Sequence, residues 1–278
     1  MTRYLCFPGG RRKALTFSYD DGVEEDIRLT GIFRKYGMKA TFNINSGSFG
    51  PDDGSNPTGR KHRKLSRKEA KEIYTEDLFE VACHGVNHES LTICDSASAV
   101  LDVIDDRRNL EDLFAKQIHG MAYANGLVND QVTNILKVCG IWYSRTTVST
   151  GKFDMPENWL KLPATCHHKN PRLMELAEQF LTMKTRLPAV FYVWGHAYEF
   201  ADADNWHVME DFCEKMAGHE DIWYCTNMEL YLAWRDYQRL ESSADGKHIY
   251  NPSPRSVWIR DKGAKVYEIK PNETITME

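Results

Sequence analysis

The chain has 278 residues, enough for one large barrel-type domain or two small ones. Lysine and arginine number 35 against 40 acidic residues, giving a net charge of −5 and a pI near 6.1, a balance that argues against nucleic acid or an anionic membrane as partner. Seven cysteines occur with no Cys-x-x-Cys spacing, which argues against both a disulfide framework and a cysteine-based zinc site. The first residues lack the apolar core of a secretory signal, and no membrane-length apolar run follows. A cytoplasmic location is therefore expected.

Apolar, β-rich runs alternate with helical periodicity along the chain. Strands are predicted over 14–18, 39–43, 78–83, 117–122, 141–146, 189–194 and 222–226. Between them, amphipathic segments predict helices over 24–36, 66–74, 96–115, 129–139, 172–183, 205–217 and 228–240. Ser66-Arg67-Lys68-Glu69 reads as a capping box, and Gly37, Gly140 and Gly218 stop three of the helices. Such β-α alternation predicts a parallel sheet covered by helices. Seven strands fit either an open doubly wound sheet or a barrel one strand short of eight. No Gly-x-Gly-x-x-Gly or Walker loop occurs, which counts against a nucleotide-binding version. Residues 46–63, rich in Gly, Pro, Asp and Ser, form a long loop, read either as functional or as a mobile insertion. The tail from residue 250 reads as a hairpin, Val257-Trp258-Ile259-Arg260 and Lys265-Val266-Tyr267-Glu268-Ile269 flanking a glycine turn. A hairpin is too small to fold alone, so residues 250–278 are expected to pack on a main body spanning 1–249.

The polar residues that could carry chemistry fall at the ends of predicted strands. Asp20 and Asp21 follow the first, Asn43 and Asn45 end the second, and His84 follows the third. Asn125 lies past the fourth, Arg145 ends the fifth and His196 follows the sixth. In parallel α/β architectures the carboxyl ends of the strands are where sites are built. One carboxylate with His84 and His88 supplies an oxygen and two nitrogens for a divalent metal, and the second carboxylate is left over as a base. The histidine pair is not the metalloprotease helix motif, because Gly85 stands where that motif needs glutamate.

These segments resemble the polysaccharide deacetylases that share the chitooligosaccharide-deacetylase homology domain, carbohydrate esterase family four. The family's Thr-Phe-Asp-Asp-Gly motif appears as Thr16-Phe17-Ser18-Tyr19-Asp20-Asp21-Gly22 with two residues inserted. Its His-x-x-x-His appears as His84 and His88, and its strand running into leucine-x-histidine as Val190-Phe191-Tyr192-Val193-Trp194-Gly195-His196. The resemblance implies a distorted (β/α)7 barrel and a metal-dependent hydrolase that removes acetyl groups from N-acetylated sugars. It implies Asp20 as general base and His196 as general acid. Asp21, His84 and His88 would hold one divalent ion: zinc first, with cobalt, nickel or iron also suited to these ligands.

The chain departs from the family at two motifs. The third, usually Arg-Pro-Pro-Tyr-Gly, reads Ala122-Tyr123-Ala124-Asn125-Gly126, so the arginine that orients the base is absent. Arg145 is the candidate substitute, with a surface or substrate-side arginine the alternative. The fourth motif is only echoed by Asp154 and Trp159. Tyr123, Asn125, Arg145, Trp159 and Trp194 are the candidates for oxyanion and substrate contacts, with core packing the alternative for Trp159. Cys166-His167-His168 reads as two loop histidines that either face solvent or touch substrate. Two other functions stay open: a metal-dependent amidase acting on a non-carbohydrate amide, and a carbohydrate-binding barrel with a decayed site.

Overall fold

The computed structural model describes residues 2–277. A short strand β1 (Arg3–Cys6) precedes a run of parallel strands: β2 (Lys13–Asp20), β3 (Ala40–Ile44), β4 (Phe79–Cys83), β5 (Gly120–Ala122), β6 (Tyr143–Ser149), β7 (Leu162–Ala164), β8 (Cys166–His167), β9 (Ala189–Gly195) and β10 (Ile222–Tyr224). Their order is β7-β6-β5-β4-β3-β2-β9-β8, with β10 paired to the start of β2. The ring is closed by residues 162–167. Leu162–Ala164 pairs with β6 and Cys166–His167 pairs with β9, and between them the Thr165 N–H donates to the Tyr192 carbonyl at 2.8 Å. Counting β7 and β8 as one broken stave, seven staves make a distorted barrel.

One of the seven expected strands is therefore displaced from the ring, and one stave was not expected. The missing stave is 162–167, where Pro163 and two very short pieces leave no periodic signal. The strand expected over 222–226 is only the small β10, outside the ring proper.

Helices cover the outside: α1 (Asp26–Tyr36), α2 (Arg67–Tyr74), α3 (Ser96–Phe114), α4 (Asp130–Val138), α5 (Leu173–Thr182), α6 (Tyr198–Asp202), α7 (His207–Met216) and α8 (Asn227–Gln238). The capping box forms as expected. The Glu69 N–H donates to Ser66 Oγ, and the Glu69 carboxylate accepts the Ser66 N–H. Gly37 ends α1 at φ 67°, a left-handed cap that glycine adopts without penalty.

Period-2 alternation divides every stave between two environments. On β2, Leu15, Phe17 and Tyr19 join the large core under the helices, with Phe33 and Phe212. The alternate residues Ala14, Thr16, Ser18 and Asp20 face the other way, into the barrel. The same split puts Thr41 and Asn43 of β3, Glu80 of β4, Tyr143 and Arg145 of β6, and Tyr192 and Trp194 of β9 inside. This interior is polar and hydrogen-bonded. Tyr143 donates to Glu80 at 2.6 Å, Thr41 donates to the other Glu80 oxygen at 2.8 Å, and Asn43 Nδ2 donates to Ser18 Oγ at 2.8 Å. The start of α8 plugs one end, where Asn227 accepts from Thr16 Oγ at 2.9 Å and donates to Tyr192 Oη at 2.6 Å. A plugged end leaves the carboxyl ends of the strands as the open mouth.

The tail forms β11 (Glu241–Ser242), β12 (His248–Tyr250), β13 (Val257–Asp261), β14 (Val266–Ile269) and β15 (Thr274–Thr276). β13 and β14 are the expected hairpin, and β1 pairs antiparallel with β13, so the start of the chain is woven into the same small sheet. Among the described residues no helix is long and apolar enough to cross a membrane. Every cysteine is unpaired, and all but Cys94 are buried, behaving as small apolar residues.

Candidate metal centre and its surroundings

Four of the loops at the open mouth deliver their polar residues to one place. Asp21, at φ 84°, turns sharply out of β2, and its N–H still donates to the Asn43 carbonyl at 3.0 Å. A non-glycine residue held in that region is a strained position that the surroundings must over-determine. Lys64 supplies part of the restraint, donating to the Asp21 carbonyl at 2.6 Å and lying 3.5 Å from its carboxylate. Burial raises the Asp21 carboxyl, but the charges of Lys64, His84 and His196 together outweigh it and hold the pKa below the usual value.

The histidine loop after β4 is held by buried polar groups. Asp106, on the core face of α3, accepts the N–H groups of Ser46, His84 and Gly85, each at 2.9 Å. Burial pushes its carboxyl up to about 6 despite these bonds. Asn45 Nδ2 donates to the carbonyls of His84 and Gly85 at 2.7 and 3.0 Å. Gly85 sits at φ 79°, and a Cβ there would lie 2.7 Å from Asp102 Oδ2, so only glycine fits.

Asp21, His84 and His88 bring one donor atom each to within 4.8 Å of one another. His84 Nδ1 is 2.8 Å from the Ala122 carbonyl, an acceptor only, so Nδ1 carries the proton and Nε2 keeps its lone pair. That Nε2 is buried with no hydrogen-bond partner. An orphaned, lone-pair-bearing nitrogen beside a carboxylate and a second imidazole is what a resident divalent ion would satisfy, so the donor set fits one. Burial lowers the His84 pKa, keeping the ring neutral as ligation requires.

Asp20 sits 3% exposed at the end of β2, among cations and donors. Arg145 Nη2 donates directly to its Oδ2, reaching across the barrel from an inward position of β6. Asn43 Nδ2 donates to Oδ1 at 2.7 Å. His84 Nε2 and His196 Nε2 lie 3.9 and 3.8 Å from Oδ2. Burial raises the Asp20 carboxyl, but the Arg145 charge, followed by His84 and His196, outweighs it and holds the pKa at about 2. His196 turns its other nitrogen to Glu199 Oε2 at 3.3 Å. Burial lowers the His196 pKa, but Glu199, Asp20 and Asp21 together raise it above the ordinary value.

The remaining candidates separate. Trp194 lies over the Arg145 guanidinium at 4.4 Å and donates Nε1 to Ser149 Oγ at 3.3 Å, so it walls the arginine. Tyr123 is buried, with its hydroxyl donating to the Leu160 carbonyl and its N–H to the Arg145 carbonyl, so it has no donor to spare for a substrate. Trp159 is 5% exposed, packed against Tyr231 and Trp234, and serves the core. Asn125 lies in an exposed turn at φ 59°, its side chain donating to Ser90 Oγ at 2.9 Å. His168 does not face solvent: it is 2% exposed, against Phe200 and Tyr19.

Three participants were missed from the sequence, and only the last of them carried a signal that could have found it. Lys64 ends the long loop, and nothing in the sequence ties it to Asp21. Glu199 stands three residues after His196, an i,i+3 spacing that becomes a contact only once α6 is known. Asp106 falls on the Ala99, Val103, Leu110 stripe of α3, and a carboxylate on an apolar stripe is itself a usable signal.

Residues 8–144 match the polysaccharide deacetylase family. That match covers just under half of the chain. The match spans Asp20, Asp21, His84, His88 and the Tyr123 to Gly126 turn, and ends one residue before Arg145. Among curated relatives, the Staphylococcus aureus poly-beta-1,6-N-acetyl-D-glucosamine N-deacetylase is 27% identical over 142 residues, covering 48% of this chain and 47% of its own. The chain thus spans about half the length of the curated relatives it matches. Among solved structures, the putative polysaccharide deacetylase from Mycobacterium smegmatis superposes with a TM-score of 0.62 at 15% identity, over 84% of this chain and 94% of that one. That superposition bears on the fold alone, and agrees with the distorted barrel.

Proposed function

We propose that the protein is a metal-dependent hydrolase that removes acetyl groups from N-acetylated sugars. The observation that carries the reading is the meeting of Asp21, His84 and His88 beside an Asp20 already paired with Arg145 and His196. Asp21, His84 and His88 would hold the ion, zinc by preference. When bound there, a divalent ion supplies Lewis-acid polarisation of an amide carbonyl and of water.

The chain's own residues supply the rest. Asp20 takes a proton from the attacking water, and Arg145 and Asn43 keep that carboxylate ionised and aimed. His196, its pKa raised by Glu199 and the two aspartates, gives its proton to the departing amine. Asn125, on the turn after β5, is assigned the backbone N–H that faces the developing oxyanion. Lys64 and Asn87 border a groove with Phe49, Arg60 and Arg63, which suits the flanking units of an oligosaccharide. The decayed-site alternative rested on the missing arginine, and Arg145 now stands on Asp20 from the next strand.

The test is acetate release from N-acetylglucosamine oligomers by metal-stripped protein before and after zinc is restored. Zinc-dependent acetate is expected. Protein that binds zinc yet releases none from any oligomer length would overturn the proposal.

A further inference from the structure

Tyr198, the first residue of α6, stands two positions after His196 and has no task in the proposed chemistry. It lies beyond residues 8–144, so the family match assigns it nothing. Its ring is packed against two imidazoles. The His196 ring lies 5.1 Å away between centres, tilted by 33°, and the His62 ring lies 4.7 Å away, stacked within 25°. His62 comes from the long loop of residues 46–63 and is tied at both nitrogens, 2.8 Å from Glu25 and 3.3 Å from Asp202. The loop thereby gains a role, because it fixes the plane of the tyrosine ring beside His196.

The hydroxyl of this half-buried residue is unclaimed. Among the described residues it has no hydrogen-bond partner, and it is not sealed from solvent. The carboxylates around it are already taken. Lys64 stands at Asp21, Lys61 at Asp202, and His167 and Lys169 at Glu199. Burial raises the Tyr198 pKa, and the Asp21 charge raises it further, ahead of Glu199 and Asp20. The hydroxyl therefore keeps its proton, within reach of the charges of the metal centre. A neutral O–H donor on a fixed ring, with no protein acceptor, suits an oxygen that arrives with the ligand.

We infer that Tyr198 Oη is a substrate-binding donor, giving a hydrogen bond to an oxygen of the N-acetylated sugar that occupies the Asp21 centre. The inference rests on the functional reading. The bond is present before the amide is attacked, so it acts on binding and not on the chemical step. The competing role is a prop for His196, which would act on kcat instead. Tyr198→Phe separates the two, because it keeps the ring against both imidazoles and removes only the hydroxyl.

The test reads affinity and turnover separately on the zinc-loaded full chain. Affinity for an N-acetylglucosamine trimer is measured by calorimetry in the Asp20→Asn background, so that no turnover intrudes. KM and kcat for acetate release from the same trimer are measured with Asp20 intact. Tyr198→Phe is expected to weaken binding and raise KM about fivefold, the size of one neutral hydrogen bond, with kcat falling less than KM rises. Unchanged affinity and KM overturn the inference, as does a loss confined to kcat. If no trimer binds and wild type releases no acetate, the functional reading falls and the inference falls with it. Turnover by wild type with the same affinity in both proteins defeats the inference alone.

Discussion

Replacing Arg145 by methionine removes the guanidinium that donates directly to Asp20 while keeping most of the side chain's volume. Both partners are essentially buried, at 1% and 3% exposure, so no solvent screening softens the loss. Holding the Asp20 carboxyl at about 2 rather than 3.8 corresponds to roughly 2.5 kcal/mol of pairing left over after burial has taken its share. Breaking the pair forfeits that surplus and strands a buried carboxylate, which brings the expected loss to about 3–5 kcal/mol. The assay is urea unfolding of the metal-stripped protein at pH 7, with the slope checked for constancy. A double-mutant cycle separates charge from packing. Asp20→Asn in the Arg145→Met background leaves no stranded charge, so it should recover a good part of the loss. If Arg145→Met unfolds at the wild-type midpoint, or Asp20→Asn adds its full cost on top, the buried pair does not act as described.

Asp20→Asn is expected to keep bound zinc at the Asp21 centre and lose acetate release about 10²–10⁴-fold, whereas His84→Ala loses both, by metal analysis beside activity. His196→Ala should likewise keep that zinc and lower kcat about 10²–10⁴-fold; an unchanged kcat would remove it from the acid role. Gly85→Ala forces a side chain against Asp102 at a left-handed φ, which should cost about 1–3 kcal/mol and weaken zinc binding by moving His84 and His88 together. Asp26 predicts a pH effect. It is fully buried, accepts from Tyr74 Oη at 2.5 Å, and burial lifts its carboxyl to about 8. A raised folded-state pKa means the fold binds that proton more tightly than the unfolded chain does. The penalty is therefore absent below about pH 4 and grows as pH rises towards 8. Asp26→Asn should remove that slope in unfolding free energy between pH 5 and 9, and parallel curves for the two proteins would show that Asp26 is not the titrating group.

Much of the fold was legible because its signals are local and periodic. The alternation of Leu15, Phe17 and Tyr19 with Thr16 and Ser18 marks a strand, and Ser66 with Glu69 marks a helix start, whatever lies around them. The stave at 162–167 was not legible: its pairing is long-range, it holds a proline, and its halves are too short for a period to show. The centre was readable as residue types at strand ends, because that topology brings such residues together. What a sequence hides is direction and reach. Arg145 finds Asp20 only because both point into one barrel, and Tyr123 and Trp159 carry suitable chemistry but turn it into the core. His168 is the reverse case, a loop histidine by its neighbours that packs deep against Phe200.

The most direct test of the account is zinc-edge anomalous diffraction from crystals of the zinc-loaded protein. It predicts a peak about 2.0–2.2 Å from an Asp21 oxygen, His84 Nε2 and a His88 nitrogen, with Asp20 beside it still joined to Arg145. No peak among those three side chains, or an Asp21 carboxylate turned away from both imidazoles, would contradict it.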